Sequence, residues 1–278
     1  MHTTLAYLRV LGTFARNSLV RDMTFRANFL IETASSLGWL LMNLGFYVLV
    51  FQYTPMIGPE TGWGKYEFFV FLATTLLINS VSQALFMTNV DELSDLIRTG
   101  SLDFVLLKPI DTQFLISLRR IEWSSLGNFL FGWLLLAYAL WKLEYCPGLV
   151  QAGLYVVYLA CGVTIFYALM IALAATSVWL GRNQTLYDFW FYITNFARYP
   201  MEIYSGPWGT HLRRVFTFVL PVLLVSNVPA RVMLAPLRPE FAADWLLPGF
   251  ALLATLGSMV VSRWVFNRAL VSYRSASS

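Results

Sequence analysis

The residues that most often carry enzyme chemistry are few in this chain and do not form catalytic patterns. Histidine occurs only as His2 and His211, and cysteine only as Cys146 and Cys161. A metal site needs closely spaced His, Cys or carboxylate ligands, and a nucleophile needs a base within reach. Neither arrangement is visible, and we interpret both cysteines as packing residues without a disulfide. The sequence therefore predicts no catalytic residue, no metal site and no cofactor in this chain.

A phosphate-binding loop is also absent from the sequence. Such a loop has the pattern G-x-x-x-x-G-K-[ST], in which backbone N–H groups surround the phosphates. The nearest resemblance, Gly62–Lys65, lacks both the spacing and the hydroxyl group. We therefore expect that the chain does not hydrolyse a nucleotide by itself. The net charge of +4 is small, and we expect no nucleic-acid partner.

Two carboxylates, Glu32 and Asp188, lie in or near apolar segments and could serve an ion-coupled transporter. Such transporters usually place ionisable side chains near the middle of the membrane. Both residues instead fall near predicted cytoplasmic ends of these segments, where they are expected to be interface residues or partners of arginine. Ion coupling is therefore an alternative hypothesis and not the preferred one.

The most informative polar stretch covers residues 91–122. Acidic residues open a segment of helical periodicity, which suits the positive end of a helix dipole, and a glycine is a frequent helix stop. These features predict a short charged helix over Asp91–Arg98, a stop at Gly100, and an apolar run over Leu102–Leu107 that ends before Pro109. Apolar side chains gain little in a solvated loop unless they dock. The stretch therefore predicts either a contact surface for a soluble partner or an ordinary solvated loop.

The composition indicates that lipid solvates much of the protein. Of 278 residues, 58% are hydrophobic and only 12% are charged, with a mean hydropathy of +0.63. Soluble domains carry about 25% charged residues. A soluble fold of this length could not bury so much apolar surface, so we predict an all-α membrane protein.

Apolar runs of roughly 20 residues are long enough to span a bilayer. Five such runs are clear: Phe29–Tyr53, Phe68–Val90, Trp123–Trp141, Leu149–Leu180 and Trp245–Phe266. The region from Gly181 to Asp244 is ambiguous. One interpretation places a fifth span at about Arg182–Tyr199, followed by a re-entrant hairpin, and the other makes Val215–Pro236 the fifth span. Both predict about six spans in a single transmembrane domain, residues 1–278.

The basic residues predict the orientation, because cytoplasmic loops carry an excess of Lys and Arg. They concentrate before the first span, between the second and third spans, and after the last span. Both termini are therefore predicted to be cytoplasmic. Residues 1–26 also show leucines at helical spacing with arginines on another face, which predicts an interfacial helix on the cytoplasmic surface.

The sequence resembles the permease subunits of ABC-2 type ATP-binding-cassette exporters. The resemblance rests on Arg98-Thr-Gly-Ser-Leu-Asp-Phe-Val-Leu-Leu-Lys-Pro109, which is similar to an R-x-G-x-L-D-x-x-L-L-x-P-like loop motif after the second of six spans. A weaker match covers Tyr199–Tyr204, Leu220-Pro221 and Val228–Arg231. In such permeases these segments precede the last span as re-entrant outer helices. The resemblance therefore favours an outer re-entrant region at 200–243.

The resemblance implies a connecting helix, six spans and a cytoplasmic coupling loop at 91–122. It also implies two copies of an ABC ATPase subunit, which would hold ATP and Mg, and a second permease subunit that is identical or homologous. The residues to which it assigns ATPase coupling are Asp91, Glu92, Asp95, Leu96, Arg98, Gly100, Leu102, Asp103, Lys108 and Pro109. The implied location is the bacterial cytoplasmic (inner) membrane, in contact with its lipids.

The expected function is therefore ATP-driven export of an amphipathic or hydrophobic substrate. Polar residues within the spans could line its pathway or form interhelical hydrogen bonds: Asn43, Asn79, Ser82 and Gln83. Two alternatives remain, an ion-coupled secondary transporter and a membrane assembly protein that transports nothing.

Overall fold

The computed structural model describes residues 2–58, 61–180, 191–192, 195–234 and 246–273. Within these ranges the chain is helical, and the only β-type contact is an isolated bridge between Met56 and Gly64. The helices are α1 (His2–Thr24), α2 (Arg26–Tyr53), α3 (Lys65–Ser82), α4 (Thr88–Arg98), α5 (Leu102–Leu106), α6 (Thr112–Leu118), α7 (Leu126–Lys142), α8 (Leu149–Ala175), α9 (Ser177–Leu180), α10 (Gly206–Arg214), α11 (Val222–Leu234) and α12 (Leu246–Ser272). The all-α prediction is confirmed.

Five helical stretches of the described chain are long and apolar enough to cross a membrane. They are Arg26–Tyr53, Lys65–Arg98, Trp123–Lys142, Leu149–Leu180 and Leu246–Ser272. Each contains one of the five predicted spans, apart from Trp245, which lies outside the described residues. These predictions are therefore confirmed.

A bent pair of helices occupies the described part of the ambiguous region. The segments Gly206–Val219 and Val222–Leu234 meet at an angle of 87°, which fits either a broken span or a re-entrant loop, so both interpretations stay open. Leu220 adopts an extended conformation before Pro221, because proline disfavours a helical residue in front of it. The outer re-entrant interpretation agrees with this break. The proposed span over 182–199 falls mostly on residues outside the described part, as does Asp188.

The second helix of the bent pair, α11, contains Pro229 and polar residues, and its burial explains how such a helix fits into an apolar bundle. Every residue from Val222 to Ala230 is buried, so α11 packs against protein instead of lipid. The Asn227 side chain donates to Leu223 O at 2.8 Å and accepts from the Met201 N–H at 2.8 Å. Buried polar groups need such partners, since an unpaired group costs free energy in a water-free interior.

The second span forms the centre of the bundle and α2 lies at its periphery. Most of the apolar part of α3 is buried, whereas α2 has no buried residue. Between α3 and α4 the helix widens into a π-turn over Gln83–Met87. A π-turn changes the regular hydrogen-bond pattern, and the Ala84 carbonyl accepts from the Glu122 N–H at 2.8 Å. The chain that returns from the loop is thereby fixed to the second span.

Four apolar cores fill the described part of the bundle, and two of them lie next to connections between the spans. One surrounds Phe68, Phe71 and Leu135 near the 54–64 connection, and the other surrounds Leu93, Leu102 and Phe266 near the 98–123 loop. Phe14 of α1 and Tyr273 after α12 both pack against the second core. The N-terminal helix and the C-terminal end of the last span therefore lie on the same side of the bundle as this loop.

Candidate coupling surface and its supporting contacts

The predicted charged helix is present as α4, but it is not a separate element. It continues the second span through the π-turn, so Lys65–Arg98 forms one helical stretch of 34 residues. It ends as predicted before Gly100, whose φ of 70° lies in the left-handed region that glycine favours. A displacement of α4 would therefore be transmitted directly into the membrane-spanning part of the helix.

Beyond Gly100 the chain forms an elbow that presents one apolar face inward and another outward. Leu102 is 0% exposed and packs with Leu93 in the second core. Phe104 and Leu107 point away from this core and are 72% and 81% exposed. Exposed large apolar side chains beside charged residues are typical of a contact surface when they lie outside the lipid region. We call Phe104, Leu107 and Lys108 the elbow tip.

The residues predicted for coupling divide into three groups by exposure. Asp91, Asp95, Arg98, Lys108 and Pro109 are exposed; Glu92, Leu96, Gly100 and Asp103 are partly buried; and Leu102 is buried. Leu102 therefore has no surface that another protein could contact. Its side chain instead packs in the second core and fixes the elbow to the bundle.

Ion pairs tie parts of this region together. Glu92 pairs with Arg120 at the far end of the loop, and Asp95 pairs with Arg98 at 3.2 Å on the exposed face of α4. The buried Asn89 adds a second connection: its Nδ2 donates to Arg120 O at 2.7 Å, and its Oδ1 accepts from Arg120 N at 2.9 Å. Both ends of the loop are thus held to the second span.

A polar junction that the sequence did not reveal connects the loop with the last span. Asp111 accepts from the Phe114 N–H at 2.9 Å and so caps the N-terminus of α6. Arg263 of α12 donates to both carboxylate oxygens of Asp111 and to Gln113 Oε1. These hydrogen bonds from Arg263 are the main reason that the pKa of Asp111 lies below its ordinary value.

The same junction reaches α1 and α8. The Asp111 N–H donates to the Tyr7 hydroxyl oxygen at 3.1 Å, and Gln113 Nε2 donates to the Tyr167 hydroxyl oxygen at 2.9 Å. Four elements therefore meet at α6: the N-terminal helix, the loop, the fourth span and the last span. An aspartate followed by a helical pattern could have indicated the cap, but no local pattern indicates that Arg263 is its partner.

Glu122 lies at the end of the loop in a groove of about 540 Å³ shared with Asp22, Glu32 and Arg21. Burial raises the pKa of Glu122, and the nearby Glu32 and Asp22 carboxylates raise it further, while a hydrogen bond with Thr88 opposes the shift. Glu32 itself accepts from Asn28 Nδ2 at 2.6 Å. Among the described residues, no group of three His, Cys, Asp or Glu side chains is arranged to hold a metal ion.

The four predicted pathway residues do not form one polar site. Asn43 donates to Trp39 O of its own helix at 2.8 Å, and Gln83 is exposed. Ser82 is buried, and its Oγ has no hydrogen-bond partner within the described part. Asn79 lies one turn before Gln83 and is partly buried. In the ranges that the structure describes, none of the four forms the interhelical hydrogen bond offered as the alternative.

On the side of the bundle opposite the loop, an ion pair joins the short turn at Met201–Ile203 to α11, and we call it the outer ion pair after the predicted outer region at 200–243. Arg231 of α11 pairs with Glu202, and the Trp63 indole N–H donates to Glu202 Oε2 at 2.7 Å. Trp63 belongs to the connection between the first two spans and is almost completely buried. The carboxylate of Glu202 thus offsets the cost of an arginine in an apolar helix.

Comparison with known proteins supports the same architecture. The family model described as ABC-2 family transporter protein matches residues 37–277. No curated protein and no solved structure matches the chain. The match extends from the first span to the C-terminus and includes the elbow, the polar junction and the outer ion pair. The chain is therefore a membrane-embedded member of the ABC-2 transporter family, a permease subunit that family membership pairs with an ABC ATPase.

Proposed function

We propose that this chain is the permease subunit of an ATP-driven exporter. Two copies of an ABC ATPase subunit would bind ATP and Mg, and a second permease, identical or homologous, would complete the transporter. The observation that carries this proposal is the exposed apolar pair of the elbow tip, Phe104 and Leu107, which follows the helix that is continuous with the central span. A soluble partner that contacts the tip would act on this helix through the turn at Gly100 and through the packing of Leu102 with Leu93.

The elbow tip has the composition expected of a protein contact. Phe104 and Leu107 lie three residues apart, so one turn of helix presents both side chains to one partner. Lys108 follows Leu107 directly in the chain and is exposed, as is Arg98 at the end of α4. An apolar centre with a polar rim is the usual anatomy of an interface, and aromatic residues are enriched at its centre.

The proposed transport mechanism starts from a displacement of the elbow by the ATPase subunit. ATP binding would close the two ATPase subunits and move both elbows. Because α4 continues α3, and because Arg263 and Tyr167 bond to the loop through Asp111 and Gln113, the movement would reach the second, fourth and last spans together. An effector can shift a conformational equilibrium only through contacts that differ between the two states. We propose that the hydrogen bonds at Asp111 are among the contacts that change between the two states.

The substrate is proposed to be amphipathic or hydrophobic. The spans offer aliphatic and aromatic side chains, and the candidate span Leu149–Leu180 contains no charged residue. Export is assigned from the family resemblance. Both termini and the elbow are proposed to face the cytoplasm of a bacterial inner membrane, because the basic residues concentrate on that side.

The partner contact is tested by copurification of the full chain with its ATPase. We expect the double substitution Phe104→Ser and Leu107→Ser to abolish copurification and substrate-stimulated ATP hydrolysis while leaving thermal unfolding unchanged, since both side chains are exposed. The matched control is Trp208→Ser with Leu212→Ser, an exposed apolar pair on α10. Unchanged hydrolysis in the elbow variant, or equal losses in both variants, would remove the coupling assignment.

The orientation is tested by cysteine labelling after Cys146 and Cys161 are replaced. A thiol reagent that does not cross membranes should label Ser205→Cys from outside intact cells, and Leu107→Cys only after the membrane is opened. Both positions are exposed in the structure. Labelling of Ser205→Cys only from the cytoplasm would contradict the proposed orientation.

A further inference from the structure

The N-terminal helix α1 has one face that is bonded to the 111–123 segment. Tyr7 accepts from the Asp111 N–H, and Ser18 Oγ accepts from the Ile121 N–H at 3.0 Å. The Ala15 carbonyl accepts from the Trp123 indole N–H at 3.2 Å, and Phe14 packs into the second core. This face is therefore occupied, and α1 is fixed in its rotation about its own axis.

The fixed rotation leaves an apolar stripe exposed beside the bonded face. It consists of Leu5, Leu8, Leu19 and Met23, all of them exposed. These positions recur at helical spacing on one side of α1. The helix passes into the first span through a single break at Phe25, which places the stripe at the edge of the lipid region. Exposed leucines at this position are solvated by the acyl chains and not by water.

A basic stripe lies on the other side of these leucines and lines an open groove. Arg9, Gly12, Thr13, Arg16 and Asn17 contribute to the groove, and Arg21 closes one end. Arg9 and Arg16 are exposed and form no ion pair within the described residues, whereas Arg21 is bonded to Asp22 at 3.1 Å. At Gly12 an added Cβ would meet no atom within 4 Å, so the helix backbone is open between the two arginines.

We propose that this basic stripe binds the phosphate groups of anionic phospholipids in the leaflet on whose surface α1 lies. The guanidinium group binds phosphate with two parallel hydrogen bonds, and neither Arg9 nor Arg16 has an ion-pair partner among the residues that the structure describes. The two arginines are two helical turns apart, a separation of about 10 Å along the axis, so each can bind a different headgroup. The neighbouring leucines insert among the acyl chains and keep the arginines at headgroup depth.

Binding of anionic lipid at this stripe has a consequence for the loop. The bonded face of α1 is hydrogen-bonded to the 111–123 segment. The depth at which α1 binds the headgroups therefore also determines how far the loop lies from the membrane. The lipid site depends only on membrane embedding and not on ATPase coupling. Its failure would therefore leave the proposed transport function untouched.

The experiment is native mass spectrometry of the full-length protein with an equal mixture of phosphatidylglycerol and phosphatidylcholine that have identical acyl chains. We expect the wild-type protein to retain phosphatidylglycerol preferentially. Each arginine should contribute a factor of about five to this preference, so the Arg9→Gln/Arg16→Gln variant should lose roughly 25-fold in total. Its thermal unfolding should remain unchanged, because both side chains are exposed.

The matched control is Arg98→Gln/Lys108→Gln, which removes the same charge from exposed positions at the elbow. This variant should keep the lipid preference of the wild type. The proposal is overturned if the wild type shows no preference, or if both double variants lose it equally. It is also overturned if Arg9→Gln/Arg16→Gln lowers copurification of the ATPase while lipid retention is unchanged, since the groove would then be a protein contact.

Discussion

Arg263 Nη1 donates to Asp111 Oδ1 at 3.1 Å and thereby joins the last span to the N-terminus of α6. The two residues are 152 positions apart in the sequence. Asp111 also caps α6 and bonds through its backbone to Tyr7, so one residue connects three elements. This relationship makes the junction the natural place at which movement of the elbow would reach the rest of the bundle.

The ion pair at this junction gives a prediction for Asp111→Asn. Asparagine still caps the helix, but the charge is lost, and we expect the free energy of unfolding to fall by about 1 kcal/mol at pH 7. The folded pKa of Asp111 is depressed, so its contribution is present above the unfolded value of about 4 and is lost as the pH falls through the folded value.

Thermal unfolding in detergent across pH measures this effect. The difference between wild type and Asp111→Asn should shrink as the pH falls below about 4, toward and through the lowered folded pKa of Asp111. As a control, Asp95→Asn removes an ion pair whose two members are both largely exposed and should change stability little. A difference for Asp111→Asn that stays constant down to pH 3 would show that the charge is not its cause.

Two leucines of the elbow should respond differently to truncation. Leu102→Ala removes a fully buried side chain, and we expect a loss of about 2–5 kcal/mol in unfolding free energy. Leu107→Ala should leave stability nearly unchanged, because Leu107 is 81% exposed. Denaturant unfolding of both variants makes the comparison. Equal losses would mean that the elbow does not have the inward and outward faces described.

Close packing between α8 and α11 makes Gly162 sensitive to any added atom. A Cβ at this position would lie 2.8 Å from Val225 O and 2.9 Å from Ile78 Cδ1. We expect Gly162→Ala to destabilise the protein by about 1–3 kcal/mol. The control Gly153→Ala lies on the same helix with nothing within 4 Å of the added atom, and it should be neutral or slightly stabilising. Thermal unfolding that ranks the two variants the other way would contradict this packing.

The outer ion pair should show strong coupling between its members. Glu202→Ala leaves Arg231 unpaired and removes the acceptor of the Trp63 indole, so we expect a loss of about 2 kcal/mol or more. The double variant Glu202→Ala/Arg231→Met should lose less than the sum of the two single losses, because an unpaired charge no longer remains. Strict additivity in thermal unfolding would show that the two side chains do not interact.

Glu122 should have the opposite pH dependence to Asp111. Its pKa is raised by burial, so the ionised carboxylate destabilises the folded state above that pKa, and protonation at lower pH removes this cost. Glu122→Gln should therefore unfold at a higher temperature than wild type at pH 8, with the difference vanishing near pH 4. The control Glu92→Gln loses its pairing with Arg120 and should unfold at a lower temperature. A lower unfolding temperature for Glu122→Gln would contradict the assignment.

Local patterns in the sequence were sufficient for five apolar spans and for the end of α4. Long uncharged runs predicted the spans because the bilayer requires about 20 apolar residues, and Gly100 predicted a helix end because it favours a left-handed conformation. The same periodicity separated the leucines of α1 from its arginines. These features depend on residues within a few helical turns of one another, so they can be predicted without knowledge of the tertiary structure.

Pairings between distant segments were decided only by the tertiary structure. Nothing near Asp111 in the sequence indicates Arg263, and nothing near Glu202 indicates Trp63. The continuity of α4 with the second span also depended on the π-turn at Gln83–Met87, which no simple period predicts. The physical reason is that an ion pair or a buried hydrogen bond depends on which surfaces meet when the helices pack, and many chain paths satisfy the same local hydrophobic pattern.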